Sequence, residues 1–168
     1  ERILSQHGQY NRMVQNREIG DGRLLSLEEY LREKPGALEN HQTRFLIADN
    51  FLGIGDEARF AQVKKILSEN FCVVGILEEY EETVVLLNKE MGWPCVPYKR
   101  RNVGILRSAQ ADLSPDLLQL MRRKNRLDLK VHALARDLLE QAKDSYGPTF
   151  QVDLASLCRA NAELERAQ

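Results

Sequence analysis

The side chains best suited to chemistry gather in one irregular stretch, Tyr98-Lys99-Arg100-Arg101-Asn102, with Arg107 following. Guanidinium groups bind phosphate through paired N–H bonds, and a segment with no helical or strand period can close over an anion once it arrives. Tyr98 and Asn102 stand beside those charges as contacts for a base. A second anion contact is suggested near the start, where Arg2 precedes Ser5 by three residues in an opening helical pattern; a hydroxyl and free backbone N–H groups in a first helical turn suit a phosphate. The ordinary alternatives for these residues are a solvated charge run and a helix-capping serine. Arg44, in Asn40-His41-Gln42-Thr43-Arg44, could meet an anionic substrate, and His41 has the neutral-range pKa of a general base. His7 and His132 read as surface or packing histidines. Glu78, Glu79, Glu81 and Glu82 crowd a helix start, where the macrodipole favours carboxylates, so they are read as a helix terminus rather than a catalytic pair. Cys72, Cys95 and Cys158 show no CxxC or Cys/His ligand spacing, so no metal site is expected and buried free thiols are.

Several elements must hold these groups. A helix is expected from Arg2 to about Arg17, ending in the turn residues Gly20-Asp21-Gly22. Ser26-Leu27-Glu28-Glu29 has the form of a capping box opening a short helix that stops before Pro35. A helical stretch from Leu38 to Asn50 follows, then a helix capped by Asp56 with Phe60, Val63, Ile66 and Leu67 inward. Phe71-Cys72-Val73-Val74-Gly75-Ile76 is continuously apolar, the pattern of a strand buried on both faces of a parallel sheet. A helix from about Glu79 to Met91 completes an α/β rhythm. Ser114-Pro115 starts a helix with proline at its first position, Asn125 marks a break, and a long amphipathic helix runs on to Gly147-Pro148. Val152 to Glu165 reads as a terminal helix.

The bulk composition limits the function classes. The 168 residues include 24 Lys plus Arg and 25 Asp plus Glu, so no global field draws the chain to nucleic acid or an acidic membrane. No apolar run approaches the roughly 20 residues that span a bilayer, and Glu1-Arg2-Ile3-Leu4-Ser5 lacks a signal-peptide pattern. A helical pattern already running at Arg2, and a single strand that needs partners, lead to the expectation that upstream sequence is missing.

Taken together, the blocks resemble the PAPS-dependent carbohydrate sulfotransferases (sulfotransferase family 2, heparan sulfate 2-O-sulfotransferase-like), where PAPS is phosphoadenosine phosphosulfate. Arg2 and Ser5 match the end of the family's R-D-P-x-x-R-x-x-S signature. Asn40 to Arg44 resembles N-x-Q-T-R, and Asn70 to Glu82 resembles F-x-V-V-G-x-T-E, with Leu77 at the usual threonine and the L-L pair at Leu86-Leu87. Tyr98 to Gly104 resembles Y-x-x-x-N-V-S, and Ser114-Pro115 resembles L-S-P-E. Asn125 to Ala135 resembles N-x-x-D-x-x-L-Y-x-x-A, with Val131-His132 at the leucine-tyrosine pair. The likeness fades after about Gln141.

That resemblance implies an α/β class: the C-terminal part of a P-loop-NTPase-like sulfotransferase fold, predominantly helical here, with at least one buried parallel strand at about 71–76. Residues 1–146 would be the sulfotransferase part and 147–168 a C-terminal helical extension. It implies sulfuryl transfer from PAPS to a hydroxyl, in all expectation on a glycan, without a metal or a nucleic-acid partner. PAPS would be held by Ser5, Arg100, Arg101 and Asn102, with Arg44 toward the acceptor. The family's K-T-G-G-T-S loop has no counterpart in the chain, and its catalytic base lies upstream of the R-D-P signature, so the isolated chain is expected to be inactive. Bacterial relatives are cytoplasmic and animal ones lie in the Golgi lumen. The competing reading is a non-catalytic helical interaction module built on the amphipathic stretch from Leu117 to Leu139.

Overall fold

A computed structural model of the chain describes residues 13, 15, 23–33, 39–48, 53–99 and 113–167. These residues form seven helices: α1 (Leu27–Glu33), α2 (His41–Ile47), α3 (Asp56–Glu69), α4 (Tyr80–Met91), α5 (Pro115–Lys124), α6 (Arg126–Tyr146) and α7 (Phe150–Arg166). A 3-10 turn, Leu77–Glu79, precedes α4. The described residues fall into two compact units, the first holding 13, 15, 23–33, 39–42 and 113–126 and the second 43–48, 53–99 and 127–167.

The first unit is built on local capping. Ser26 N–H donates to Glu29 Oε2 at 2.8 Å while Glu29 N–H donates to Ser26 Oγ at 3.2 Å, closing the capping box that the sequence indicates. Those donors, with Arg23 beside them, hold the Glu29 carboxyl down to about 2. Leu25, Tyr30 and Leu31 are buried together, with Leu117, Leu120 and Met121 of α5 packed on them. Ser114 Oγ accepts the Leu117 N–H at 3.3 Å, and Pro115 occupies the first helical position, whose N–H would have no partner anyway. Asn125 ends α5: its N–H and its side-chain Nδ2 both donate to the Met121 carbonyl, at 3.1 and 3.0 Å.

The second unit is organised along α6. Leu127, Val131, Ala135 and Leu139, four residues apart, form its buried stripe. Val131 packs with Ile47, Val63 and Leu67, so α2 and α3 cover one stretch of the stripe. Ala135 and Leu139 pack with Ile76, Val85, Leu86, Phe150 and Leu157, so α4 and α7 cover the other. Val74 is packed against both groups. Gly92 ends α4 in the left-handed region at φ 64°, a conformation that costs other L-residues about 1–2 kcal/mol.

The expected α/β architecture is not what these residues form. Among the described residues there is no strand, and the P-loop-like sheet with a buried strand at 71–76 is replaced by helix-on-helix packing. The backbone there is extended, with Ile76 at φ −122° and ψ 152°, but it pairs with no neighbouring strand. Ile76 is buried and Val73 and Val74 are half-buried, whereas Phe71 stays 49% exposed and Cys72 and Gly75 face solvent. A short apolar run satisfies a one-sided helical surface as well as a two-sided sheet, and its length and composition do not separate the two.

Smaller expectations also change. Asp56 is the first residue of α3 rather than its cap; Gly55 takes that place, and Asp56 pairs with Arg59 at 2.9 Å. Of the stretch expected to be helical from Leu38 to Asn50, Leu38, Asp49 and Asn50 lie outside the described residues; among 39–48 the helix covers His41–Ile47, with Asn40 at φ 44° and Ala48 at φ 46°. All three cysteines are free and exposed, not buried.

Candidate functional site

Two arrangements in the second unit bring polar groups together. The first lies where the 3-10 turn and the first turn of α4 meet α6. Lys143, whose side chain is only 15% exposed, donates to Glu140 at 2.6 Å, Glu79 at 2.9 Å and Glu82 at 3.4 Å. Burial by itself would lower the Lys143 pKa, but the carboxylates of Glu140 and Glu79 outweigh it and hold the ammonium well above its ordinary range. Glu79 and Glu82 share a hydrogen bond, which keeps Glu79 ionised below the usual carboxyl range and raises Glu82. Beside them His132 Nε2 lies 3.2 Å from Glu78 Oε2, whose carboxyl is lowered by its own backbone N–H and by the imidazole. A lysine locked in its charged form cannot serve as a base, so this cluster clamps α4 to α6. The sequence shows the carboxylates at a helix start; Lys143, more than sixty positions away, carries no local signal.

The second arrangement is a cleft of about 560 Å³ between the C-terminal end of α4, the residues after it, and α7. Asn88, Lys89, Trp93, Cys95, Tyr146 and Asp153 are among its lining residues. Among the described lining residues the charged side chains are Lys89 and Asp153, and both are committed to Tyr146. The Tyr146 hydroxyl donates to Asp153 Oδ2 at 2.8 Å, and burial together with that carboxylate pushes its pKa up to about 12. Lys89 Nζ donates to the Tyr146 carbonyl at 2.9 Å and sits 3.6 Å from the ring centroid, a cation–π distance. The volume suits a small ligand, with neutral dipoles rather than spare charge on offer.

The residues singled out by the sequence fare differently. Arg44 lies exposed on α2, and His41 opens that helix. Lys99 is half-buried at the end of the irregular stretch after α4. Ser5, His7, Arg100, Arg101, Asn102 and Arg107 lie outside the described residues. Two partners that sequence reasoning left unpaired do meet: Thr43, fully buried, donates its backbone N–H and its hydroxyl to Asp128 Oδ1, at 2.8 and 2.7 Å. Within the first unit, the Asn40 N–H donates to Asn125 Oδ1 at 3.3 Å. Gly75 is explained by packing, since a Cβ built on it would lie 2.7 Å from Thr83 Cβ and closer still to the two outer atoms of that side chain. Among the described residues, no group of three or more His, Cys, Asp and Glu side chains could hold a metal ion, and no helix is long and apolar enough to cross a membrane. Compared with known proteins, the chain matches no family model, no curated protein and no solved structure.

Proposed function

We propose that this chain is part of an enzyme that transfers a sulfuryl group from PAPS to a carbohydrate hydroxyl. In that reaction the hydroxyl oxygen attacks sulfur, the bond from sulfur to the phosphate oxygen breaks, and phosphoadenosine phosphate departs while a base takes the hydroxyl proton. Ser5, Arg100 and Arg101 would hold the phosphates of the nucleotide, Asn102 would contact its base, and Arg44 would meet an anionic group of the acceptor. Positive charge placed where the leaving phosphate develops its own charge is the contribution such residues make.

The observation that carries the reading is the double hydrogen bond from Thr43 to Asp128. Thr43 belongs to the N-x-Q-T-R-like block and Asp128 to the N-x-x-D-like block, 85 positions apart. A chance likeness of two short stretches gives no reason for their matching residues to bond. Gly75 adds support, because the glycine of the F-x-V-V-G-like block is required here by the approach of Thr83.

Ligand-observed saturation-transfer NMR on the full chain tests the reading, with phosphoadenosine phosphate as probe and AMP as control. Transfer to the adenine protons is expected with the bisphosphate, stronger than with AMP and reduced several-fold by the double change Arg100→Ala, Arg101→Ala. No transfer at millimolar nucleotide would overturn it. The absence of any strand among the described residues favours a second reading, a non-catalytic helical interaction module, which requires indifference to both nucleotides.

A further inference from the structure

The residues from Trp93 to Lys99 leave α4 without entering a helix or strand. Their sequence is Trp-Pro-Cys-Val-Pro-Tyr-Lys. Pro94 and Pro97 each fix φ near −65°, and Trp93 and Val96, as residues preceding proline, are pushed to extended backbone. The two prolines thus hold four of the first five residues to extended or polyproline II backbone, and in polyproline II three residues make a turn.

Tyr98 faces the protein. Its N–H donates to Asn161 Oδ1 at 2.9 Å, its ring meets Tyr80 edge-on at 5.5 Å, and it packs against the α4–α7 core. Trp93 and Cys95 both border the adjoining cleft. Pro94 and Pro97 are exposed, and so are Trp93 at 54% and Val96 at 62%. Lys99, half-buried, follows Val96 by three residues and makes no ion pair among the described residues.

We infer that Trp93–Lys99 is a docking segment for an SH3-type domain. Such domains bind a polyproline helix in two aromatic-lined grooves, each taking one apolar-residue-plus-proline pair. Here the pairs are Trp93-Pro94 and Val96-Pro97, one helical turn apart. A third, acidic pocket takes a cation two residues beyond the second proline, which is where Lys99 stands. Of the two positions that such a partner does not touch, Tyr98 is packed on the chain's own body and Cys95 is exposed. Anchoring by Tyr98 holds the segment in the recognised form before the partner arrives, which lowers the ordering cost of binding. The inference does not rest on the nucleotide reading, and nucleotide is left out of its test.

The test probes the full chain against an array of purified SH3 domains covering both ligand orientations, with purified WW domains alongside, and follows hits by isothermal titration calorimetry. Binding to SH3 domains is expected, weakened at least about ten-fold by Pro94→Ala, Pro97→Ala or Lys99→Glu, and changed less than about two-fold by Cys95→Ser. Circular dichroism of each variant must match the parent, which surface positions should allow. Independently of any variant, a synthetic proline-rich peptide that occupies the same SH3 grooves should displace the chain. Silence across the SH3 array, capture by WW domains alone, or binding that survives the proline changes or resists the peptide would overturn the assignment.

Discussion

Replacing Asp128 with alanine removes a side chain that accepts from both the backbone N–H and the hydroxyl of a fully buried threonine. Thr43 is the third residue of α2, so its N–H is one of the helix-start donors that no intrahelical carbonyl can reach. Asp128 supplies that acceptor from α6 and takes the Thr43 hydroxyl on the same oxygen, at 2.8 and 2.7 Å. A hydrogen bond to a charged group contributes about 1.5–3 kcal/mol, and a buried donor left unsatisfied costs about 1–3 kcal/mol. Sharing one oxygen makes the two bonds less than additive, and Asp128 is half-buried, so water can partly replace it. The expected loss for Asp128→Ala is therefore about 3 kcal/mol, or about 6–12 °C in Tm for a chain of this size. Asp128→Asn keeps an acceptor oxygen without the charge and should lose about half as much. Thr43→Val keeps the shape and removes only the hydroxyl. Urea unfolding of the two single variants, Asp128→Ala and Thr43→Val, and of the double variant gives the coupling energy, expected at about 1–2 kcal/mol. Additivity of the two changes within about 0.3 kcal/mol would refute the reasoning, because it would mean that the hydroxyl and the carboxylate do not interact.

Three further outcomes follow from the same structure. Gly75→Ala should destabilise by about 1–3 kcal/mol in thermal unfolding; because the new Cβ stands 2.7 Å from Thr83 Cβ, Thr83→Ser should not rescue it and Thr83→Gly should. Glu29, held down to about 2 from an ordinary 4.5, stabilises the fold above the unfolded-state value, and that contribution is lost as pH falls from about 4.5 toward 2. Glu29→Gln should therefore flatten this part of the acid-unfolding curve. Lys143, whose pKa is raised from 10.5, contributes stability that is complete below that value and is lost as pH rises beyond it. Lys143→Met leaves Glu79, Glu82 and Glu140 facing one another, and should cost about 1–3 kcal/mol at neutral pH by chemical denaturation.

Local chemistry was legible from residues alone wherever it is settled within a few positions. The Ser26–Glu29 box, the Ser114-Pro115 start, the break at Asn125 and the stop before Gly147 all depend on hydrogen bonds or dihedral limits inside one turn. The tertiary structure decided what requires a partner from afar. Whether Phe71–Ile76 becomes a strand depends on a neighbouring strand to complete its hydrogen bonds, and helices cover it instead. That Lys143 answers the carboxylates of α4, and that Asp128 answers Thr43, is invisible in either stretch by itself. Short-range rules fix what a segment can be, whereas burial and long-range pairing choose among the conformations that those rules leave open.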